Sequence, residues 1–570
     1  MDRALDPALL NGALGDIGNL PSPEELRRML AEAEVSAFFA QDQDLPPLLI
    51  ETAWVLHQVG TVRPALQIYD VERQVQANAV AAHVFDLALA RGLVAGEELV
   101  TTFAAQVSSI RGDRTPNATA LAGRLPAATA SVLREPGRAS LEVGCSVLSL
   151  VRASTAELLR RHTAELGLGG VAAAQPTFEG TPIAAAAAVV RGSRLLLRYL
   201  ANGDERDLAA ARDAFERGTN DAAARRDLDS RWVAAHLLDL ADDLGNSSVW
   251  AILPAGTPPV VGRAMTFGEP PVMSLWPPQV SLLQDDEHSP LRADVRRCVM
   301  TFPTSAGKTL LTQLIVAHHL ATENTPVCVV APSHSLCREI RQGLDRRLWV
   351  LRKTVAEDGP LGDPTTPRAP VVVMTPERLA ARLRSNGADL LNEFRLFVLD
   401  EAHLVADETR GWTFETTISR LHELTADTGH RMIVVSAALG GTATVRTWLD
   451  VDAEPVTTAA RWRGPRRLHA TYHTTEYGKE RVVAAVPPQR LDRRVREMWG
   501  VVSLYVDAGK ATAVRGGRVG DIVTYGKTVE KPSRAEQLCL VVNHATRAGS
   551  VLTVHATKIS AERLAQALGR

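Results

Sequence analysis

The chain has 570 residues, enough for roughly three to five domains of ordinary size, each able to bury a core. Its 63 basic and 65 acidic residues leave a net charge of −2, which excludes a globally cationic nucleic-acid binder and confines any such surface to a local patch. Five cysteines, Cys145, Cys298, Cys328, Cys337 and Cys539, are scattered without a CxxC pair and read as reduced core residues, not zinc ligands or disulfides. The N-terminal "MDRALDPALLNGALGDIG" lacks a basic segment followed by an apolar one, and the apolar run "PIAAAAAVV" is halted by Arg191. The expectation is a soluble, cytoplasmic protein with no membrane partner.

Residues 1–250 are rich in Ala, Leu and Arg and show helical periodicity. Thr181-Pro182 is expected to open one helix, because threonine caps free amides and proline suits the first turn. Ser230 is expected to open another, closed by Gly245 after Leu237, Leu240 and Leu244. No clear repeat emerges, although paired helices of helical-repeat type fit the pattern. The helical half ends at the Pro-rich "GEPPVMSLWPPQ". From Arg297 onward, short β-branched runs alternate with amphipathic segments: "CVMTF", "PVCVVAP", "PVVVMTP", "FRLFVLD" and "RMIVVSA". That alternation predicts a parallel sheet covered by helices on both faces.

The first of these strands, Cys298 to Phe302, runs through the turn "PTSAGKT" into a helix expected over Thr309 to Leu320. Backbone amides in such a turn, with the positive end of the helix, form a cradle for phosphate oxygens. Gly307 lets the backbone approach closely, Lys308 can meet the β- and γ-phosphates, and the Thr309 hydroxyl can coordinate magnesium. The general P-loop pattern puts a glycine six residues before the lysine, where this chain has Phe302. Taken alone, the turn can also be read as a plain strand–helix junction ending in a solvated lysine.

"FRLFVLDEAH" then brings two carboxylates, Asp400 and Glu401, to a strand's carboxyl end, where open α/β sheets bind ligands. Asp400 can hold a metal through water and Glu401 can polarise an attacking water, the division of labour that phosphoryl transfer to water requires. For either acid alone a capping role would suffice. Placed after Lys308, the pair points to nucleotide chemistry.

"PTSAGKT", "DEAH" and "SAA" at Ser436 to Ala438 resemble motifs I, II and III of superfamily-two DExH/DEAH helicases, in the flavour of the superkiller-type, Ski-like branch. "VVVMTPERL" is similar to motif Ib of that branch, "VVAPSHSLCREI" stands where motif Ia is expected, and "LWPPQ" resembles the Q-motif. The resemblance implies a RecA-like P-loop lobe, with ATP and Mg2+ as cofactors and DNA or RNA as partner. It assigns Gln279, Pro303, Thr304, Ser305, Ala306, Gly307, Lys308 and Thr309 to the nucleotide, with Gln279 on the adenine edge. Thr309 and Asp400 fall to magnesium, and Lys308, Asp400, Glu401 and His403 to catalysis. Ser333, His334, Thr375 and Arg378 become backbone contacts to nucleic acid, although "SHS" and "TPER" are also simply good helix starts. Ser436, Ala437 and Ala438 couple the two sites. Ala438 stands where many relatives carry threonine, so one hydroxyl of the usual coupling is missing.

Other features have plainer readings. His318-His319 has no partner cluster at metal spacing and reads as packed or solvated. "RWRGPRR", Arg461 to Arg467, suits a hinge better than a nucleic-acid grip, and "RGGRVGD", Arg515 to Asp521, is too generic for a phosphate loop. The expected domains are a helical adaptor over 1–250, open to a protein partner, a RecA-like lobe over 251–460, and a hinge with an incomplete second lobe over 461–570. "SVLTVHATKISAERLAQALGR" resembles motif IV, and no motif V or QxxGRxxR-like motif VI follows it. Two functions therefore stand: an ATP-driven translocase or helicase, by analogy with bacterial relatives in defence or repair, and a nucleotide-gated, non-motor adaptor completed by a partner or by downstream sequence.

Overall fold

The computed structural model describes residues 47–61, 71–112, 121, 133–152, 181, 183–302, 307–352, 355–357, 370–436, 447–449, 456–457, 471–474, 481–484, 505–507, 561 and 564–565. The chain gathers into two compact units, Met1–Asn117 with Arg466–Arg570, and Ala118–Pro465. The helices on the two sides of the expected boundary at residue 250 fall within one of them, for reasons of packing given below.

In the first unit α1 (Pro47–Gly60), α2 (Val71–Ala90) and α3 (Glu98–Arg111) pack around one another. The small side chains of α2, Ala77, Ala79, Ala81 and Ala82, are buried and let its neighbours approach. Asn78 Nδ2 donates to Gly60 O at 2.7 Å and to Gln74 O at 3.0 Å, tying the end of α1 to α2. Three further strands, β8 (Thr471–Thr474), β9 (Arg481–Ala484) and β10 (Tyr505–Asp507), pair antiparallel. Most of the motif IV-like segment, with "RWRGPRR", "RGGRVGD" and Cys539, lies outside the described residues.

The second unit opens with α4 (Pro136–Arg152), α5 (Ala184–Asn202), α6 (Glu205–Arg225) and α7 (Leu228–Ser247). α5 begins three residues after Thr181, whose carbonyl accepts from Ala184 N at 3.1 Å, and it passes through Arg191 to end at Gly203 in a left-handed conformation. The cap of α7 is Asp227, not Ser230. The Asp227 carboxylate accepts from Ser230 N at 3.1 Å, while Ser230 is fully buried with its hydroxyl 2.7 Å from Ser140 Oγ. Both residue types cap well, and burial decided between them. Gly245 lies inside α7, which closes at Ser248.

Short helices α8 (Val249–Ile252), α9 (Pro259–Thr266) and α10 (Pro277–Leu283) lead into the α/β layer. Trp250 Nε1 donates to Leu200 O at 2.9 Å, and Tyr199 Oη lies 2.6 Å from Ser248 Oγ, so the helical layer is stitched to this connector. The connector is in turn held by a buried arginine. Arg347 donates from Nη1 to Met265 O at 3.1 Å and from Nε to Gln313 Oε1 at 2.6 Å.

All five predicted strands are present: β1 (Arg297–Thr301), β2 (Val327–Val330), β4 (Val371–Met374), β5 (Leu396–Leu399) and β6 (Arg431–Ser436). β3 (Val355–Glu357) and β7 (Val456–Thr457) extend the edges in the order β3-β4-β2-β5-β6-β1-β7, with every pairing parallel. Side-chain alternation sends Cys298, Met300 and Phe302 into a core with α11 (Lys308–Thr322) and α12 (His334–Leu348). Val299, Met432 and Val434 face the other way, onto α13 (Pro376–Glu393) and α14 (Gly411–Thr425). The parallel sheet with helices on both faces, preceded by a mostly helical region, is as expected. Among the described residues four cysteines are buried and outside any disulfide, and no helix is long and apolar enough to cross a membrane.

Candidate active site

Because every strand of the large sheet is parallel, the helices that follow β1, β2 and β4 all begin at its carboxyl edge. Their free first-turn amides and positive dipole ends share that edge with the residues that follow β5. β1 and β5 flank β6, and β6 ends at Ser436. Lys308, Asp400 and Ser436, far apart in sequence, therefore emerge from three adjacent strands.

Gly307 precedes α11 at φ +81°, a left-handed conformation that glycine adopts without steric cost. A Cβ there would collide with Gln279 Nε2. Gln279 itself is buried and accepts from Trp276 N through Oε1 at 2.9 Å, which aims its amide nitrogen at the turn. The Q-motif-like and P-loop-like stretches thus meet. Pro303, Thr304, Ser305 and Ala306 lie outside the described residues. Thr309 is exposed in the first turn of α11.

Lys308 Nζ donates to both oxygens of Glu401, at 3.0 and 3.2 Å, and His403 Nδ1 lies 3.2 Å from Glu401 Oε2. Three of the four expected catalytic side chains thus form one chain of contacts, and the fourth abuts it. Asp400 Oδ1 accepts from Glu401 N at 2.9 Å. Burial, reinforced by the neighbouring Glu401 carboxylate, raises the Asp400 pKa to about 6. Glu401 adopts φ +54°, which costs a non-glycine residue on the order of 1–3 kcal/mol and turns the chain from β5 into the short 3-10 helix Ala402–Ala406.

The donor set fits a magnesium nucleotide. Asp400 is a carboxylate whose charge burial disfavours, so a cation would relieve it. Thr309 adds a hydroxyl, and Lys308 is a half-buried cation beside a helix N-terminus. Among the described residues no group of three or more His, Cys, Asp or Glu side chains could hold a metal. Ser436 and Thr301 are paired in register, and both hydroxyls are buried without a hydrogen-bond partner among the described residues. Ala437 and Ala438 lie outside the described residues.

The other expected contacts are helix caps on the same edge. Ser333 caps α12, its Oγ accepting from Leu336 N at 3.3 Å, with His334 exposed beside it. Thr375 caps α13, its Oγ1 accepting from Arg378 N at 3.4 Å. The sequence did not single out Arg410, whose Nε donates to Glu377 Oε1 at 2.8 Å and joins the "TPER" turn to the segment after "DEAH". His318 and His319 are buried against Thr257 and Thr325, and burial lowers both pKa values to about 4, as packed histidines require.

Residues 286–446 match the DEAD/DEAH box helicase family. The chain is similar to the Hachiman protein HamB of Bacillus cereus, 29% identical over 161 residues, 27% of this chain and 14% of that protein. It is also similar to the ATP-dependent DNA helicase Hel308 of Thermoplasma acidophilum, 29% identical over 224 residues, 38% of this chain and 31% of that one. Hel308 of Thermococcus kodakarensis is 24% identical over 204 residues, 35% of this chain and 17% of that one. The chain spans less than a third of the length of these curated relatives and, over residues 286–446, carries a DEAD/DEAH box helicase domain.

Proposed function

We propose that the chain is the nucleotide-driven core of a nucleic-acid helicase or translocase of the DEAH type, Ski-like branch, acting in the cytoplasm in bacterial defence or repair. The observation that carries this reading is the contact of Lys308 with Glu401 beside a buried Asp400, at the edge where three helix N-termini converge. Lys308 exchanges Glu401 for the nucleotide phosphates, and Glu401, held by His403, is then released to polarise the attacking water. Gln279 reads the adenine edge while restricting the backbone at Gly307. Magnesium, when bound through Thr309 and Asp400, would neutralise charge on the phosphate oxygens. Ser333, His334, Thr375 and Arg378 hold the sugar–phosphate backbone of DNA or RNA through caps and charge, without reading bases. Ser436, at the carboxyl end of β6, and Ala437 and Ala438 after it in sequence couple the two functions. Residues 251–460 act as the motor lobe, 1–250 as an adaptor for a protein partner, and 461–570 as hinge and part of a second lobe.

Lys308→Ala removes a charge-assisted contact to phosphate, so ATP affinity by calorimetry should fall about ten- to a hundred-fold with the circular dichroism unchanged. Equal affinity in both proteins refutes the phosphate cradle. ATP binding without any response to DNA or RNA favours the nucleotide-gated adaptor instead.

A further inference from the structure

The most exposed large apolar side chain among the described residues is Trp412, at 76%, and the turn that leads to it is well tied down. Asp407 Oδ1 accepts from Thr409 N at 2.9 Å, Thr409 Oγ1 at 2.7 Å and Arg410 N at 2.8 Å, which locks the turn before α14. Gly411 N donates to Asp407 O at 2.9 Å, and a Cβ on Gly411 would run into Val405 O, so the first turn of α14 is seated directly on the segment after "DEAH". The core face of α14 is Gly411, Phe414, Thr417, Ile418, Leu421 and Thr425. Trp412 points away from it and forgoes the burial that roughly 150–250 Å2 of aromatic surface would gain.

What surrounds Trp412 gives it a task. Two residues earlier, Arg410 grips Glu377, which stands between the Thr375 cap and Arg378. Trp412 therefore shares the edge on which the first turns of α12 and α13 and the Arg378 guanidinium offer phosphate contacts. Contacts of that kind track a backbone and leave the bases unpartnered. A solvent-facing indole beside them supplies the missing π-face, and stacking tolerates any base.

We propose that Trp412 is a stacking platform for one base of a single-stranded nucleic acid whose phosphates lie against the first turns of α12 and α13. The proposal rests on the nucleic-acid reading above. The test is fluorescence anisotropy of labelled DNA and RNA single strands of about 15 nucleotides with the parent, Trp412→Ala, Trp412→Phe and Arg378→Ala chains, across a salt series. Trp412→Ala should weaken binding about ten-fold, with an unchanged dependence on salt, and Trp412→Phe should restore most of it. Arg378→Ala should instead flatten the salt dependence by about one charge. An abasic strand should bind the parent weakly and be indifferent to Trp412→Ala. Nucleotide binding, followed with a fluorescent ATP analogue, should be the same in the parent and in Trp412→Ala. If Arg378→Ala weakens binding and Trp412→Ala does not, or if Trp412→Ala affects intact and abasic strands equally, stacking is overturned while the nucleic-acid reading survives. If the parent binds no strand, both fall together.

Discussion

Asp400→Asn should make the nucleotide-free protein more stable while disabling its site. The Asp400 carboxyl is raised from 3.8 to about 6, first by burial and then by the Glu401 carboxylate. A carboxyl whose folded pKa is raised favours the folded state while protonated. Its contribution is complete below about pH 4, the range of an unfolded aspartate, and is lost as pH rises through about 6. A shift of roughly two pKa units corresponds to about 3 kcal/mol as an upper limit, and to about 1–2 kcal/mol once solvent screening of this partly buried side chain is allowed for. Asparagine removes the charge and keeps an oxygen for the Glu401 amide, which donates to Asp400 Oδ1 at 2.9 Å. Urea unfolding of parent and variant should therefore show the variant ahead by about 1–2 kcal/mol at about pH 8, with the advantage fading towards about pH 4. Magnesium ATP should reverse the order at about pH 8, because ligand bound to the folded parent stabilises it by mass action. No advantage at about pH 8, or one equally large at about pH 4, would refute the claim that a buried charge only partly compensated by its neighbours sits at the end of β5.

Glu401→Gln keeps size and hydrogen-bonding capacity but loses the basic carboxylate, so magnesium ATP should still bind by calorimetry while any steady-state turnover drops at least about a hundred-fold. Gly307→Ala places a Cβ at φ +81° and against the Gln279 amide. It should cost about 1–3 kcal/mol in urea unfolding and weaken ATP binding about ten-fold, and a neutral result would mean the Gly307 turn is not the tight contact described. Arg347→Ala should destabilise by about 2–4 kcal/mol, because it opens a cavity and strips Gln313 Oε1 and Met265 O of their donor. Arg347→Met, which fills the space without a buried charge, should lose much less, and equal losses for the two would place the cost in the hydrogen bonds alone.

How much of this was legible in the sequence followed from how local each determinant is. "CVMTF", "PVCVVAP", "PVVVMTP", "FRLFVLD" and "RMIVVSA" are continuous apolar runs of strand length, so burial on both faces could be read directly, and all five strands are in the sheet. β3 and β7 have three and two residues, too short for any alternation to register. The sequence predicts Ser230 as the cap of α7, and only the packing of Ser230 on Ser140 shows why Asp227 is used instead. Arg346 and Arg347 are neighbours of one type, and nothing local marks the second as buried.

The site divides along the same line. Lys308 and the Asp400–Glu401 pair could be found because each is a short contiguous signal at a strand end. Their contact could not, since it depends on β6 lying between β1 and β5, an order set by sheet pairing across more than a hundred residues. That order has a chemical consequence. With Ser436 emerging between the lysine and the acids, and its hydroxyl buried without a partner among the described residues, a shift at the end of β6 would be felt on both sides at once. The register partner of Ser436, Thr301, likewise has a buried hydroxyl with no hydrogen-bond partner among the described residues. Both atoms have already lost water, and a hydrogen bond acquired by either in the nucleotide-bound state would be a gain that the nucleotide-free state forgoes.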